Sequence, residues 1–201
     1  MLLKLLTILL PLTFHHVGIQ SDEYPPHVGG RKPTVLFVGD SLCVGMKPAF
    51  ERITREAGWI SVNSCRVGTT SLQWEGWIGG EISRVDPQLV LISLGTNDGY
   101  IYGRIKASGG VYGRILNTAS SQGAAVVWVE PPRISRRVIV GIEWVRGSLH
   151  SEVPTRFESE VYIVPPPGDG IHLTGRGYDA WMERIWGWMS EEGILGHQEV
   201  W

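Results

Sequence analysis

Ser41, Gly68, Asn97, Asp169 and His172 lie far apart along the chain, yet their types make one chemical set. A serine hydroxyl is a weak nucleophile, and a neighbouring imidazole must take its proton. A carboxylate beside the imidazole fixes its tautomer and stabilises the imidazolium that forms. Asp169 stands three residues before His172, so a single tight turn brings the two side chains together. Negative charge developing on a substrate oxygen needs preorganised donors. The backbone N–H of Ser41, the backbone N–H of Gly68 and the side-chain amide of Asn97 are the candidates. Gly68 suits this role because an absent side chain lets a substrate approach the backbone. The set is the inventory of acyl transfer through an activated serine.

These residues can act together only if the fold gathers them. Val35–Val38 is a continuous apolar run ending in Gly39-Asp40, as a buried parallel strand should. Ile60–Cys65, Leu89–Leu94, Ala124–Val129 and Val161–Val164 read as four further strands. Between them, Met46, Phe50, Ile53 and Ala57 recur at helical spacing. Leu72–Val85, Val111–Ala119 and Gly175–Glu192 also read as helices, while Arg136–Val145 fits either period. Strand and helix alternating in this way predict an α/β domain, one parallel sheet with helices on both faces. In such a sheet every strand's carboxyl end lies on one edge, where ligands bind. Gly39-Asp40-Ser41, Gly68-Thr69-Thr70, Gly95-Thr96-Asn97-Asp98 and Asp169-Gly170-Ile171-His172 each follow a predicted strand, so the four blocks converge.

In Gly39-Asp40-Ser41-Leu42, Gly68, Gly95-Thr96-Asn97-Asp98 and Asp169-Gly170-Ile171-His172-Leu173 the sequence resembles the SGNH, or GDSL-type, hydrolase family. The resemblance runs from about Thr34 to Glu192. One such tetrapeptide is weak evidence, whereas four in order, each past a predicted strand, are strong. It implies a three-layer αβα, flavodoxin-like fold with a five-stranded parallel sheet in the order 2-1-3-4-5. It also implies Ser41 as nucleophile, His172 as general base and then acid, and Asp169 as its orienting partner. Ser41, Gly68 and Asn97 would form the oxyanion hole. Members are mostly esterases, lipases, carbohydrate deacetylases and acyltransferases, and they need no metal or other cofactor. The expected activity is hydrolysis of short-chain carboxylic esters, O-acetyl groups on a glycan among them, through an acyl-enzyme. The alternatives are an O-acyltransferase that hands the acyl group to a sugar hydroxyl, and a silent carbohydrate-binding module of the same fold. No Gly-x-Ser-x-Gly elbow surrounds Ser41, which argues against an ordinary α/β-hydrolase.

Other residues carry competing readings. Ser41 also suits the N-cap of a helix. Asp40 is expected to order its loop, and Asp98, a rival carboxylate for the imidazole, to serve loop hydrogen bonding. Trp74 and Trp77 either line an acyl or sugar pocket or pack a helix onto the sheet. Trp77 is the better cleft residue of the two, because Trp74 continues the stripe of Ile78 and Ile82. Tyr100, just past Asn97, is a further candidate for the cleft wall. Cys43 and Cys65 fall near the same sheet edge. In an exported chain a disulfide there would brace the site; the other reading is two separate buried thiols. His150 reads as a surface loop residue, and no pair of histidines has metal-site spacing.

Composition narrows the partners. The 201 residues carry 18 Lys and Arg against 20 Asp and Glu, a net charge of −2, which lacks the basic excess of a nucleic-acid binder. An apolar content of 43% with 19% charged residues describes a folding chain with a sizeable core. The 26 glycines have no collagen period and therefore serve turns and close backbone approaches. The partner to expect is a small-molecule or glycan ester. Residues 1–21 hold one lysine and then a short apolar run, too short for a stable membrane span, and read as a signal peptide lacking an obvious cleavage site. Residues 22–33 read as a Pro- and Gly-rich linker, 34–192 as the hydrolase domain and 193–201 as a tail. A secreted or periplasmic protein is the expectation, with the cytoplasm as the alternative.

Overall fold

The structure, a computed structural model, describes residues 32–101, 109–132, 139–159 and 169–196. The expected signal segment, most of the linker and the end of the tail lie outside them.

Five strands, β1 (Thr34–Gly39), β2 (Ile60–Cys65), β3 (Leu89–Ser93), β4 (Ala125–Val129) and β5 (Arg156–Phe157), form one sheet in the order β2-β1-β3-β4-β5. All four pairings are parallel. Six helices connect and flank them: α1 (Ser41–Glu56), α2 (Ser71–Val85), α3 (Thr96–Ile101), α4 (Val111–Ser120), α5 (Ile139–Glu152) and α6 (Gly175–Glu191). This is the expected three-layer α/β arrangement.

The strands read as unbroken apolar runs because both faces are covered. Side chains alternate across the pleat. Val35, Phe37, Leu89, Leu91, Val127 and Val129 join a core with α1 and α6. Leu36, Val38, Val90, Ile92, Val126 and Trp128 join the opposite core with α2, α4 and α5. Register then sets the site. Gly39 stands opposite both Cys65 and Ser93, Ser93 opposite Val129, and Val129 opposite Phe157. The strands therefore end in one row, and the loops that follow them share one edge.

The structure adds one strand to the sequence reading and corrects one element. The fifth strand of the described sheet is Arg156–Phe157; the expected strand Val161–Val164 lies outside the described residues. A two-residue edge strand leaves no periodic signal. Its placement comes from backbone pairing to β4 and from Arg156, which bonds the buried Glu130 carboxylate at 2.9 Å. The correction is at Thr96, which opens a short helix where the sequence suggested a loop. Of the ambiguous stretch 136–145, the described residues from Ile139 belong to helix α5.

Cys43, in the first turn of α1, is disulfide-bonded to Cys65 at the end of β2, with a Cα separation of 5.5 Å. The bond ties the start of the helix that carries Ser41 to the strand that leads into Gly68. It closes a loop of 22 residues, so the double substitution Cys43→Ala/Cys65→Ala is expected to lower stability by about 3 kcal/mol. Urea unfolding of the two proteins without reductant checks this.

Candidate active site

Ser41 is the first residue of α1, directly beyond the end of β1. Asp40 caps the helix: its Oδ1 accepts the Leu42 N–H at 2.9 Å, while its own N–H donates to the Ser93 carbonyl at 3.1 Å. The cap pins the residue before Ser41 to β3 and turns the serine outward at a helix N-terminus, where backbone donors favour an anion. The expectation that Asp40 orders the loop agrees with this geometry.

Asp169 and His172 meet Ser41 from the segment before α6. The Ile171 and His172 backbone N–H groups donate to Asp169 Oδ1 at 2.8 and 3.0 Å, which fixes a tight turn. Asp169 Oδ2 then meets His172 Nδ1 at 2.6 Å, and His172 Nε2 meets Ser41 Oγ at 2.9 Å. Bonding to the His172 side chain, then to the two backbone N–H groups, holds the Asp169 carboxyl well below the usual carboxylate range. An ionised Asp169 can only accept, so Nδ1 of a neutral His172 carries the proton and Nε2 is left to accept from the serine hydroxyl. The pair is open to solvent, with side-chain exposures of 45% for His172 and 52% for Asp169.

The candidate donors Gly68 and Asn97 sit in the loop after β2 and on α3. Gly68 has φ +76°, a left-handed conformation that favours glycine, and the space where a Cβ would stand is open. Thr69 anchors this loop: its hydroxyl donates to the Arg66 carbonyl at 2.7 Å and accepts the Trp74 indole N–H at 2.9 Å. Asn97 Nδ2 donates to the Thr69 carbonyl at 2.9 Å. An amide nitrogen has two hydrogens, so one latches the loop and the other stays available to a substrate oxygen. Buried Asp98 repeats the latch one residue on, accepting from the Ser71 N–H at 3.1 Å and the Ser71 hydroxyl at 2.9 Å. Burial pushes its carboxyl up, and the two Ser71 groups counter that. Asp98 therefore joins α3 to α2 and does not partner His172. Behind α3, a Cβ on Gly141 would collide with the Gly99 carbonyl, so glycine there lets α5 seat α3 closely. Asn97→Ala removes a donor and a latch together. It is expected to lower kcat toward small esters about 10²-fold with little change in KM. Steady-state kinetics on p-nitrophenyl acetate checks this.

The aromatic candidates separate. Trp74 is fully buried, so its reading as a cleft wall is overturned. Its indole N–H is satisfied by Thr69, which lets the ring sit in the core. Trp77 is half-buried, edge-on to Trp74 at 5.7 Å, and the Arg66 guanidinium covers its ring at 4.4 Å. Its partner Arg66 stands two residues before Gly68. Tyr100 is exposed on α3, three residues past Asn97.

One cluster escaped the sequence reading. His150 lies on α5 and not in a loop; its Nε2 is 3.0 Å from the buried Glu130, which follows β4. Glu130, His150 and Glu158 bring three ligand-type atoms within 4.8 Å of one another. Arg146 and Arg156 already neutralise Glu130 at 2.8 and 2.9 Å, so an added cation would face two guanidinium groups. Among the described residues no helix is long and apolar enough to cross a membrane.

No family model matches the sequence, and no curated protein does. Solved structures do resemble the fold. TesA is 23% identical, with a TM-score of 0.62 over 79% of this chain and 98% of its own. A GDSL-like lipase from Bacteroides thetaiotaomicron is 19% identical, with a TM-score of 0.59 over 80% of this chain and 88% of its own. A family 3 carbohydrate esterase from Clostridium thermocellum is 14% identical, with a TM-score of 0.64 over 80% of this chain and 96% of its own. Strand order, helix layers and these likenesses agree: the chain has the fold of the SGNH, or GDSL-type, hydrolases.

Proposed function

We propose that the chain is a serine esterase that hydrolyses short-chain carboxylic esters through an acyl-enzyme. The observation that carries the reading is the unbroken chain of hydrogen bonds from Asp169 through His172 to Ser41, 2.6 and 2.9 Å long. Ser41 Oγ attacks the ester carbonyl carbon as His172 Nε2 takes its proton. The carbonyl oxygen becomes an oxyanion that accepts from Ser41 N–H, Gly68 N–H and Asn97 Nδ2. The intermediate collapses, the bond to the alcohol oxygen breaks, and His172 returns the proton to that oxygen. Water then attacks the acyl-serine, giving its proton to His172, and a second collapse releases the acid and restores the serine hydroxyl.

The exposure of His172 and Asp169 supports water as the acyl acceptor. The likeness to a carbohydrate esterase supports an acylated glycan as one kind of substrate. The Cys43–Cys65 disulfide supports export, because such bonds persist in oxidising compartments. Hydrolysis of p-nitrophenyl acetate by the wild-type protein and by Ser41→Ala tests the reading: turnover by the first and its loss in the second are expected, and equal rates would refute it.

A further inference from the structure

Large apolar side chains scattered singly over a surface are ordinary. Here they gather. Of the five exposed ones among the described residues, Ile60 starts β2 at the far end of the sheet. The other four, Val44, Val67, Leu72 and Tyr100, each lie within four residues along the chain of Ser41, Gly68 or Asn97. Val67 precedes Gly68 and is 72% exposed. Leu72 and Tyr100 each lie within two residues of the Ser71–Asp98 hydrogen bonds, which tie α2 to α3. The disulfide holds Val67 and Val44 at the same edge, two residues from Cys65 and one from Cys43.

The two ends of an ester meet different surroundings here. His172 must protonate the leaving oxygen, so the alcohol lies on its side, beside α1 and α6, which share one core. The acyl chain then points away from His172, toward α2 and α3 on the opposite face of the sheet. Val67 lies in the loop that leads into α2, Leu72 in the first turn of α2 and Tyr100 on α3.

We infer that Val67, Leu72 and Tyr100 form an apolar rim that takes the acyl chain, so the site prefers esters with acyl groups of about four to eight carbons over acetyl esters. The inference rests on the esterase reading above and sharpens its substrate class. Each methylene laid on this rim gains part of the transfer free energy of a buried CH₂.

The test compares kcat/KM for p-nitrophenyl acetate and p-nitrophenyl hexanoate, which share one leaving group. The wild-type protein is expected to favour hexanoate about tenfold. In the triple variant Val67→Ser/Leu72→Ser/Tyr100→Ser the ratio should fall to near one, and in Val67→Ser alone to an intermediate value. All three positions are exposed, and thermal melting of each variant verifies its fold. A wild-type ratio at or below one overturns the rim, as does a triple variant that is folded and keeps the wild-type ratio. If the wild-type protein hydrolyses neither ester, the esterase reading fails and the rim with it. If it hydrolyses both at equal efficiency, the rim alone fails.

Discussion

Ser41→Ala is expected to lower kcat for p-nitrophenyl esters by at least about 10³-fold while leaving KM close to the wild-type value. The serine oxygen forms the new covalent bond, and alanine offers no replacement atom. The oxygen's hydrogen bond is the one to His172 Nε2 at 2.9 Å, and alanine is a good helix former at the start of α1, so the fold should persist. Residual turnover would come from Gly68, Asn97 and the helix N-terminus, which still offer donors to a carbonyl oxygen attacked by water. His172→Ala should cost about as much, because an unassisted hydroxyl is nearly inert at neutral pH. The two losses should not add: the double variant is expected within a few-fold of either single one, about the behaviour of residues that act as a unit. Additive losses would mean that Ser41 and His172 act separately, contrary to the proposed proton transfer. An independent readout is a phosphonate ester, which should raise the mass of the wild-type protein by one adduct and leave Ser41→Ala unmodified.

The long-range part of this arrangement was legible because it depends on strand ends alone. Ser41 and His172 are 131 positions apart, yet both follow from one rule, that the loops at the carboxyl edge of a parallel sheet converge. The Asp169–His172 contact was legible for the opposite reason, since a turn across three positions is local. What stayed hidden was set by tertiary partners. Thr96–Ile101 contains Asn, Asp and Gly, which disfavour helix, and it is helical because Asp98 is held by Ser71 and Gly99 is packed by Gly141. Trp74 fits a helical stripe in the sequence, but only the Thr69 hydroxyl shows why an indole can be fully buried there. Arg156–Phe157 becomes a strand through Glu130, a residue at the end of another strand. His150 was placed on the surface without its link to that same carboxylate, because a helix-to-strand ion pair leaves no spacing to read.

Asp40→Asn is expected to stabilise the fold at pH 8 and to change it little at pH 4. Asp40 is completely buried, and its Oδ2 has no hydrogen-bond partner. Burial pushes its carboxyl from the ordinary 3.8 up to about 7; the charge of Asp98 adds to this, while the Leu42 N–H and His172 act against it. Well below pH 3.8 the carboxyl is neutral in folded and unfolded chains alike. As pH rises toward 7 the unfolded chain releases a proton that the folded chain keeps, so the part of the stability linked to the Asp40 proton shrinks across that window and is gone above it. A displacement of about three units corresponds to about 4 kcal/mol. Asparagine keeps an oxygen for the Leu42 N–H, caps helices as well as aspartate does, and never ionises. Urea midpoints at pH 4 and pH 8 should therefore diverge for the wild-type protein and draw together in the variant. An identical pH dependence for both proteins would show that Asp40 is ionised at little cost. Asp98 supplies the contrast. It too is buried, but its carboxylate accepts from the Ser71 N–H and hydroxyl, so Asp98→Asn would turn an amide donor toward a backbone donor and should gain nothing comparable.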